Sequence, residues 1–228
     1  MSPIPSAIAS ILFASFLFES GAERLAETSK PAVAVRHVVD DSTGTRFEAT
    51  TKIGRTTYRC LGAGVRKVLF FKAYAAAFCL DAQSYDRVVG AYLSQQHAGK
   101  SGADLIRALE RDRAFFEHLE NADANKLVIM QLVRDVSKDR IASAFRGSLK
   151  EVLPDDRVEK LIDTIPGDGK DGQRILLYSR GPVLVIDIAG DAKRVEDELI
   201  ARKLWRVWLG PDSVTPALKR SIAENVAR

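Results

Sequence analysis

The sequence predicts an α+β domain in which helices pack against an antiparallel sheet. Strand-like segments separated by glycine turns come first, helical periodicity dominates the middle, and a late hairpin followed by helices ends the chain. With 228 residues and 46% hydrophobic content, the chain can bury a core large enough for one such domain.

The first 22 residues predict a signal peptide. Ala7 to Phe18 is apolar apart from two serines, which is short for a bilayer span but suits the hydrophobic region of a signal peptide. Small residues ending at Ala22 suit a cleavage site, although no Lys or Arg precedes the apolar core. We therefore expect a signal peptide over 1–22, a linker and first strand over 23–44, and the folded domain over 45–228. Export would make the protein periplasmic or secreted. The alternatives are an uncleaved anchor, an organelle transit segment or a misassigned start, with the protein then cytoplasmic or organellar.

Between Phe47 and Asp81 the pattern predicts an antiparallel meander. A strand, FEATTKI, precedes a turn at Gly54-Arg55 and a second strand, TTYRCL. We expect Gly62-Ala63-Gly64 to form a corner, after which VRKVLFFKAYAAAFCL continues as one strand.

The middle of the chain predicts helices from Tyr85 to Asn121, a short one around YDRVVGAYL and a longer one over GADLIRALERDRAFFEHLEN. Lys126 to Val136 predicts a strand because it is rich in Val, Ile and Leu. Ser137 suits the N-cap of a helix that continues to about Leu153.

The last third predicts a short helix, DRVEKLIDTI, and then the Gly- and Asp-rich loop Pro166 to Gly172. QRILLYSR and PVLVIDIAG, joined at Gly181, predict a β-hairpin. A helix is expected from Glu196 to Leu209, and a final helix over TPALKRSIAENVA has Pro216 near its first turn.

Charge and motifs argue against several functions. The formal net charge is +4 and the charges are interleaved, so nothing predicts nucleic-acid binding. AGKS lacks the first glycine of a phosphate loop, and GAGVRK lacks the third glycine of a dinucleotide fingerprint. No CxxC or HExxH occurs, and the loop 166–172 lacks further carboxylates for calcium. We therefore expect no cofactor and no metal.

The two cysteines, Cys60 and Cys79, flank the segment of greatest interest. Cys79 lies in an apolar run, which is typical of a buried small hydrophobic residue rather than a reactive thiol. In an exported protein the two could also form a disulfide, and the sequence alone does not decide this.

Arg66 and Tyr74 stand out in the otherwise apolar segment GAGVRKVLFFKAY. In one continuous strand these residues, eight apart, would share a face, with Val68, Phe70 and Lys72 between them. If that face is covered, it becomes an apolar pocket with one fixed positive charge and one phenol hydroxyl, which suits an amphipathic anion. The pattern also fits a second interpretation, in which Arg66 lies at a strand edge with its head group in water and Tyr74 lies in the core. The sequence pattern alone does not distinguish the pocket from this second interpretation.

Four segments resemble the chalcone isomerase superfamily. LGAGVRKVLFFKAYAAAFCLD resembles its signature of a glycine corner, an arginine and a strand. GKSGADLIRALERDRAFFEHLE, VRDVSKDRIASAFRGSL and RKLWRVWLGPDSVTPALKRSI resemble its helix, its strand-to-helix segment and its closing helix pair. The similarity spans residues 45 to 225 or so. It implies an open-faced β-sandwich of chalcone isomerase type, in which a large antiparallel sheet and a helical layer enclose a ligand cleft.

The resemblance also indicates which residues face that cleft. The arginine that holds the substrate phenolate in the plant enzymes aligns with Arg66, and their strand threonine becomes Tyr74. Their catalytic tyrosine aligns with Ile141, their asparagine with Ser148 and their late hydroxyl residue with Val207. Since Ile and Val cannot donate hydrogen bonds to an oxyanion, the plant mechanism is disfavoured.

Arg66 with Tyr74 resembles instead the non-catalytic branch, whose fatty-acid-binding members hold a carboxylate with such a pair. The leading hypothesis is a non-catalytic protein that binds a fatty acid or similar apolar carboxylate. The alternative is an isomerase (intramolecular lyase) of chalcone isomerase type with weak or different substrate activity. A partner-binding module is a third hypothesis, but Trp205 and Trp208 lie three apart on one helix face, which suits core packing better. We expect no membrane span in the mature chain, and the oligomeric state stays open.

Overall fold

The computed structural model describes residues 36–68 and 70–228. The predicted signal peptide, 1–22, lies outside the described residues, as does most of the predicted linker. Within the described ranges no helix is long and apolar enough to cross a membrane.

The strands form two antiparallel sheets. In the small sheet, β1 (His37–Asp40) pairs with β2 (Thr45–Glu48). In the large sheet each strand pairs with the next along the chain, which confirms the predicted α+β class and the early meander. Its seven strands are β3 (Thr50–Ile53), β4 (Thr56–Val68), β5 (Phe71–Asp81), β6 (Lys126–Leu132), β7 (Arg174–Arg180), β8 (Val183–Ile188) and β9 (Asp191–Glu196).

Helices occupy the connections between β5 and β6 and between β6 and β7, and the chain after β9. They are a π-helical turn (Asp86–Gly90), α1 (Ala91–Gln96), α2 (Gly102–Arg111), α3 (Arg113–Asn121), α4 (Lys138–Leu149), α5 (Asp155–Ile162), α6 (Glu198–Lys203), α7 (Arg206–Leu209) and α8 (Pro216–Val226). Two helices predicted as continuous are each divided. Asp112 ends α2 and caps α3 by accepting from the backbone N–H of Phe115 at 3.1 Å, and Leu204 and Trp205 separate α6 from α7.

Strand β4 passes through Gly62 and Gly64, so the predicted corner at these residues is wrong. The physical reason is the close approach of α8. A Cβ at Gly62 would lie 2.5 Å from the backbone nitrogen of Ile222, and one at Gly64 would lie 2.3 Å from that of Leu218. The two glycines therefore let the last helix pack directly on the strand.

The segment predicted as one continuous strand is a hairpin, which corrects the second part of that prediction. β4 ends at Val68 and β5 begins at Phe71, so that Arg66 pairs directly with Tyr74. Phe70 lies in the turn and is 96% exposed. Turns usually carry Gly, Asn, Asp or Pro, and the apolar residues here gave no local sign that the strand ends.

Downstream predictions are mostly confirmed. The hairpin at Gly181 and the last helix from Pro216 form as expected. β6 ends at Leu132, earlier than predicted, and Ser137 occupies the N-cap of α4 without a side-chain hydrogen bond. The sequence does not predict β9, because its residues are polar and exposed apart from Val195.

The central strands of the large sheet, β5 and β6, are buried on both faces over most of their length. The main core lies between one face and the helices, and it includes Trp205 and Trp208, which are 0% and 1% exposed, as predicted for core packing. A second core on the opposite face packs residues of the small sheet against β4 and β5. There Cys60 and Cys79, which are paired across β4 and β5, form a disulfide.

Candidate ligand-binding site

A cavity of about 580 Å³ lies between the main face of the sheet and the helices. This volume falls within the range of about 300–1,000 Å³ that is usual for small-molecule pockets. Met130, Ile175 and Ile188 lie side by side on β6, β7 and β8 and form part of its floor. Aliphatic side chains of α4, α5 and α7 close it from above, so most of the wall is apolar; they include Ile141, Leu161 and Val207.

Arg66 and Tyr74 both line this cavity. They are directly opposite each other on β4 and β5, and residues opposite each other in an antiparallel pair point to the same face. The two side chains therefore share a face as predicted, although across a hairpin and not along one strand. Of the residues predicted between them, Val68 lines the cavity, Phe70 is exposed in the turn and Lys72 is exposed on β5.

The phenol of Tyr74 is held by Trp208, whose indole Nε1–H donates to Tyr74 Oη at 3.3 Å. Burial raises the pKa of Tyr74, and Arg66, Trp208 and Thr215 act in the opposite direction. The phenol therefore keeps its proton at neutral pH. Because the arginine and the indole can only donate, the phenol proton is available to an acceptor such as a ligand oxygen.

Arg66 is a half-buried cation with no ion-pair partner in residues 36–68 and 70–228. The carboxylates that line the cavity are engaged elsewhere. Asp135 pairs with Lys170 at 3.3 Å, and Asp168 accepts from the backbone N–H of Lys138 at 2.8 Å. A guanidinium placed among apolar groups without a counter-charge is well suited to bind an anion.

The three positions aligned with family catalytic residues also line the cavity. Ile141 and Val207 present aliphatic side chains, and Ser148 presents a single hydroxyl. Tyr74 is the only tyrosine among the described lining residues. The cavity therefore has a phenol beside Arg66 and an aliphatic side chain at the position aligned with the plant tyrosine.

Sequence reasoning missed several polar residues of the site. Arg134 and Arg140 lie on its rim, and the guanidinium of Arg134 lies 4.7 Å above the ring centre of Phe71. Trp208 was expected only as core, and its role as a donor to Tyr74 has no sequence signal. The Gly- and Asp-rich loop supplies part of the wall, because Gly169 exchanges backbone hydrogen bonds of 2.8 and 2.9 Å with Val136.

No protein-family model and no curated protein matches the chain. Among solved structures, the chain is similar to a fatty-acid binding protein of Arabidopsis thaliana, with a TM-score of 0.64 and 20% identity. The match covers 84% of this chain and 98% of the other. The fold is of the chalcone isomerase type. The open-faced sandwich of this type, with a large antiparallel sheet and a helical layer, is thus confirmed.

Proposed function

We propose that this protein binds a fatty acid or a similar apolar carboxylate without transforming it. The observation that carries the proposal is the half-buried Arg66, which has no anionic partner in the described chain and faces an apolar cavity beside Tyr74. The similar solved structure is that of a fatty-acid binding protein, which supports the same class of ligand.

Each polar group has a role in the proposed binding. The guanidinium of Arg66 offers a planar fork of N–H donors to the two carboxylate oxygens, and Tyr74 donates its phenol hydrogen to one of them. Trp208 orients the phenol through the hydrogen bond to Tyr74 Oη. The apolar tail lies between sheet and helices, where each buried methylene contributes about 0.8 kcal/mol.

The decisive experiment measures fatty-acid affinity. Purified protein is stripped of bound lipid and titrated with palmitate and with its neutral methyl ester. We expect Arg66→Ala to weaken palmitate binding by about 2–3 kcal/mol, or about 30- to 150-fold, because it removes the charged partner of the carboxylate. Binding of the ester should change much less. Arg55→Ala, at an exposed turn, is the matched control and should bind like the parent.

Two results would overturn the proposal. If Arg66→Ala binds palmitate as tightly as the parent, Arg66 does not pair with the carboxylate. If the parent binds no fatty acid but converts chalcone to flavanone with an enantiomeric excess, the isomerase alternative replaces it, since uncatalysed closure gives a racemate. Native mass spectrometry of the untreated protein provides an independent check, because a retained fatty acid should be lost in Arg66→Ala.

We also propose that the protein is exported to the periplasm or the cell exterior. The predicted signal peptide over 1–22 supports this, as does the Cys60–Cys79 disulfide, since disulfides persist in oxidising compartments. Intact-mass measurement on fractionated cells tests it. Full-length protein confined to the cytoplasm would contradict export.

A further inference from the structure

The turn between β4 and β5 exposes a group of apolar side chains. Phe70 is 96% exposed, Phe71 57% and Val68 46%. The next most exposed large apolar residues of the described chain are Val39 at 38% and Leu199 at 37%, and neither lies on this turn. Exposed apolar side chains that are grouped in this way indicate a surface that binds something. We call Lys67, Val68, Phe70, Phe71 and Lys72 the hairpin tip.

Basic groups surround these apolar side chains. Lys67 and Lys72 are directly opposite each other at the base of the turn, and both are exposed. Lys72 also donates to the backbone carbonyl of Ser42. The guanidinium of Arg134 stacks on Phe71, and the exposed Arg140 lines the same cavity. An apolar tip within a basic ring is complementary to an anionic lipid surface, where apolar groups enter the interface and cations contact headgroups.

Carboxylates around the tip offset this charge only in part. Asp135 and Asp168 line the cavity, and Asp135 is paired with Lys170. Asp41 is exposed beside Ser42, whose carbonyl accepts from Lys72, so Lys67 and Arg134 are the cations of this group that we assign to lipid. A second copy of the chain fits the tip less well than a membrane does. Tip-to-tip association would bring the lysines of both copies and their Arg134 side chains together without opposite charges to meet them.

The hairpin tip adjoins the cavity, because two of its residues, Val68 and Phe71, contribute to the cavity wall. Arg134 and Arg140, outside the tip, also contribute to that wall. Phe70 does not line the cavity, although it is the most exposed of the group. A bilayer seated on the tip would face the mouth of the cavity. If the proposed function holds, an acyl chain then passes between bilayer and protein without crossing bulk water.

We propose that the hairpin tip docks the protein on bilayers that contain anionic lipid. Phe70, with Val68 and Phe71, enters the boundary between headgroups and acyl chains, while Lys67 and Arg134 pair with lipid phosphates. Lys72 supports the base of the turn through its bond to the β1–β2 connection.

Vesicle flotation tests this proposal with the full chain, so that any contribution of Ala7 to Phe18 is common to all variants. The probes are vesicles of phosphatidylcholine mixed with phosphatidylglycerol, and vesicles of phosphatidylcholine alone. The parent should prefer the mixed vesicles, and added salt should weaken its binding. Phe70→Ser should lower partitioning onto mixed vesicles about tenfold. Leu199→Ser, an exposed apolar residue on α6, is the matched control and should partition like the parent.

Charge reversal tests the electrostatic contribution to vesicle binding. Lys67→Glu should lose most of the preference for mixed over phosphatidylcholine vesicles. Partitioning of Phe70→Ser equal to that of the parent would overturn the proposal. It would also be overturned if the parent bound neither kind of vesicle. If, in addition, the molar mass in solution fell only in Phe70→Ser, the tip would be a contact between copies of the chain.

The vesicle result is distinguishable from the ligand result. Phe70→Ser should keep the palmitate affinity of the parent, because Phe70 lies outside the cavity wall, and this shows that the variant is folded. Failure of the parent to bind palmitate would refute the proposed function. Membrane docking would then be decided by the vesicle data alone.

Discussion

Gly64→Ala tests how closely the last helix is packed on the sheet. The added Cβ would lie 2.3 Å from the backbone nitrogen of Leu218, 2.7 Å from its Cα and 2.8 Å from the carbonyl carbon of Ala217. Favourable contacts between heavy atoms lie at about 3.5–4.0 Å, so α8 must retreat by about 1 Å. All three contacts are to backbone atoms, and no side-chain rotation relieves them.

The cost follows from what α8 buries. Leu218 and Ile222 are both 0% exposed, and a shift of α8 loosens their packing in the main core. An increase in gap of 0.5–1 Å forfeits roughly a quarter to a half of each dispersion contact. Overpacking usually costs about 1–3 kcal/mol, and we expect the upper end because only backbone can yield. A loss of about 3 kcal/mol lowers the melting temperature of a domain of this size by about 6–12 °C.

Urea unfolding followed by circular dichroism and tryptophan fluorescence measures this loss. Gly147→Ala is the control, since a Cβ there meets no heavy atom within 4 Å and the residue is exposed on α4. It should raise the free energy of unfolding by about 0.5–1 kcal/mol, as expected for alanine in a helix interior. A Gly64→Ala variant within about 0.5 kcal/mol of the parent would refute the close-packing argument.

Three other perturbations have defined outcomes. Tyr74→Phe removes the hydroxyl that accepts from Trp208 Nε1 and should weaken palmitate binding about tenfold; an unchanged dissociation constant in titration calorimetry would exclude a bond between phenol and carboxylate. Burial lowers the pKa of Lys126 from 10.5 to about 8, so between these values the unfolded chain holds a proton that the folded state has released. Stability should therefore rise with pH across this window, and Lys126→Met should lack that component; parallel pH profiles for variant and parent would contradict it. Replacing Cys60 and Cys79 by alanine opens a disulfide with a sequence separation of 19 and should cost about 3 kcal/mol in urea unfolding; equal midpoints and slopes would show that the disulfide does not stabilise the fold.

Local patterns predicted most of the helices and strands, because the helices bury one periodic face and the central strands are continuous apolar runs. The prediction failed where a distant contact decides the local structure. Gly62 and Gly64 have the composition of a corner, but they serve the approach of α8, which lies at the other end of the chain. The end of β4 was hidden for the opposite reason, because Phe70 in the turn is apolar although it is exposed to water.

The same distinction applies to the candidate site. Arg66 and Tyr74 were identified from the sequence because a charge and a phenol stand out in an apolar run, and both line the cavity. Trp208 was not, since an aromatic residue in an apolar helix gives no sign that its indole N–H is used in a pocket. Arg134 lies in the connection after β6 and Arg140 lies on α4, and only the folded chain brings both to the cavity.

The order of the strands has a consequence for biogenesis. Each strand of the large sheet pairs with its neighbour in the chain, so hairpins can form as the polypeptide emerges, before the rest is synthesised. The indole of Trp208 is among the last groups to be made, yet it lines the cavity and donates to Tyr74. A chain that terminates before α7 would carry all seven strands of the large sheet, but without α7 and α8 on the apolar face. Such a fragment exposes apolar surface that chaperones and proteases recognise, and it lacks the indole that donates to Tyr74.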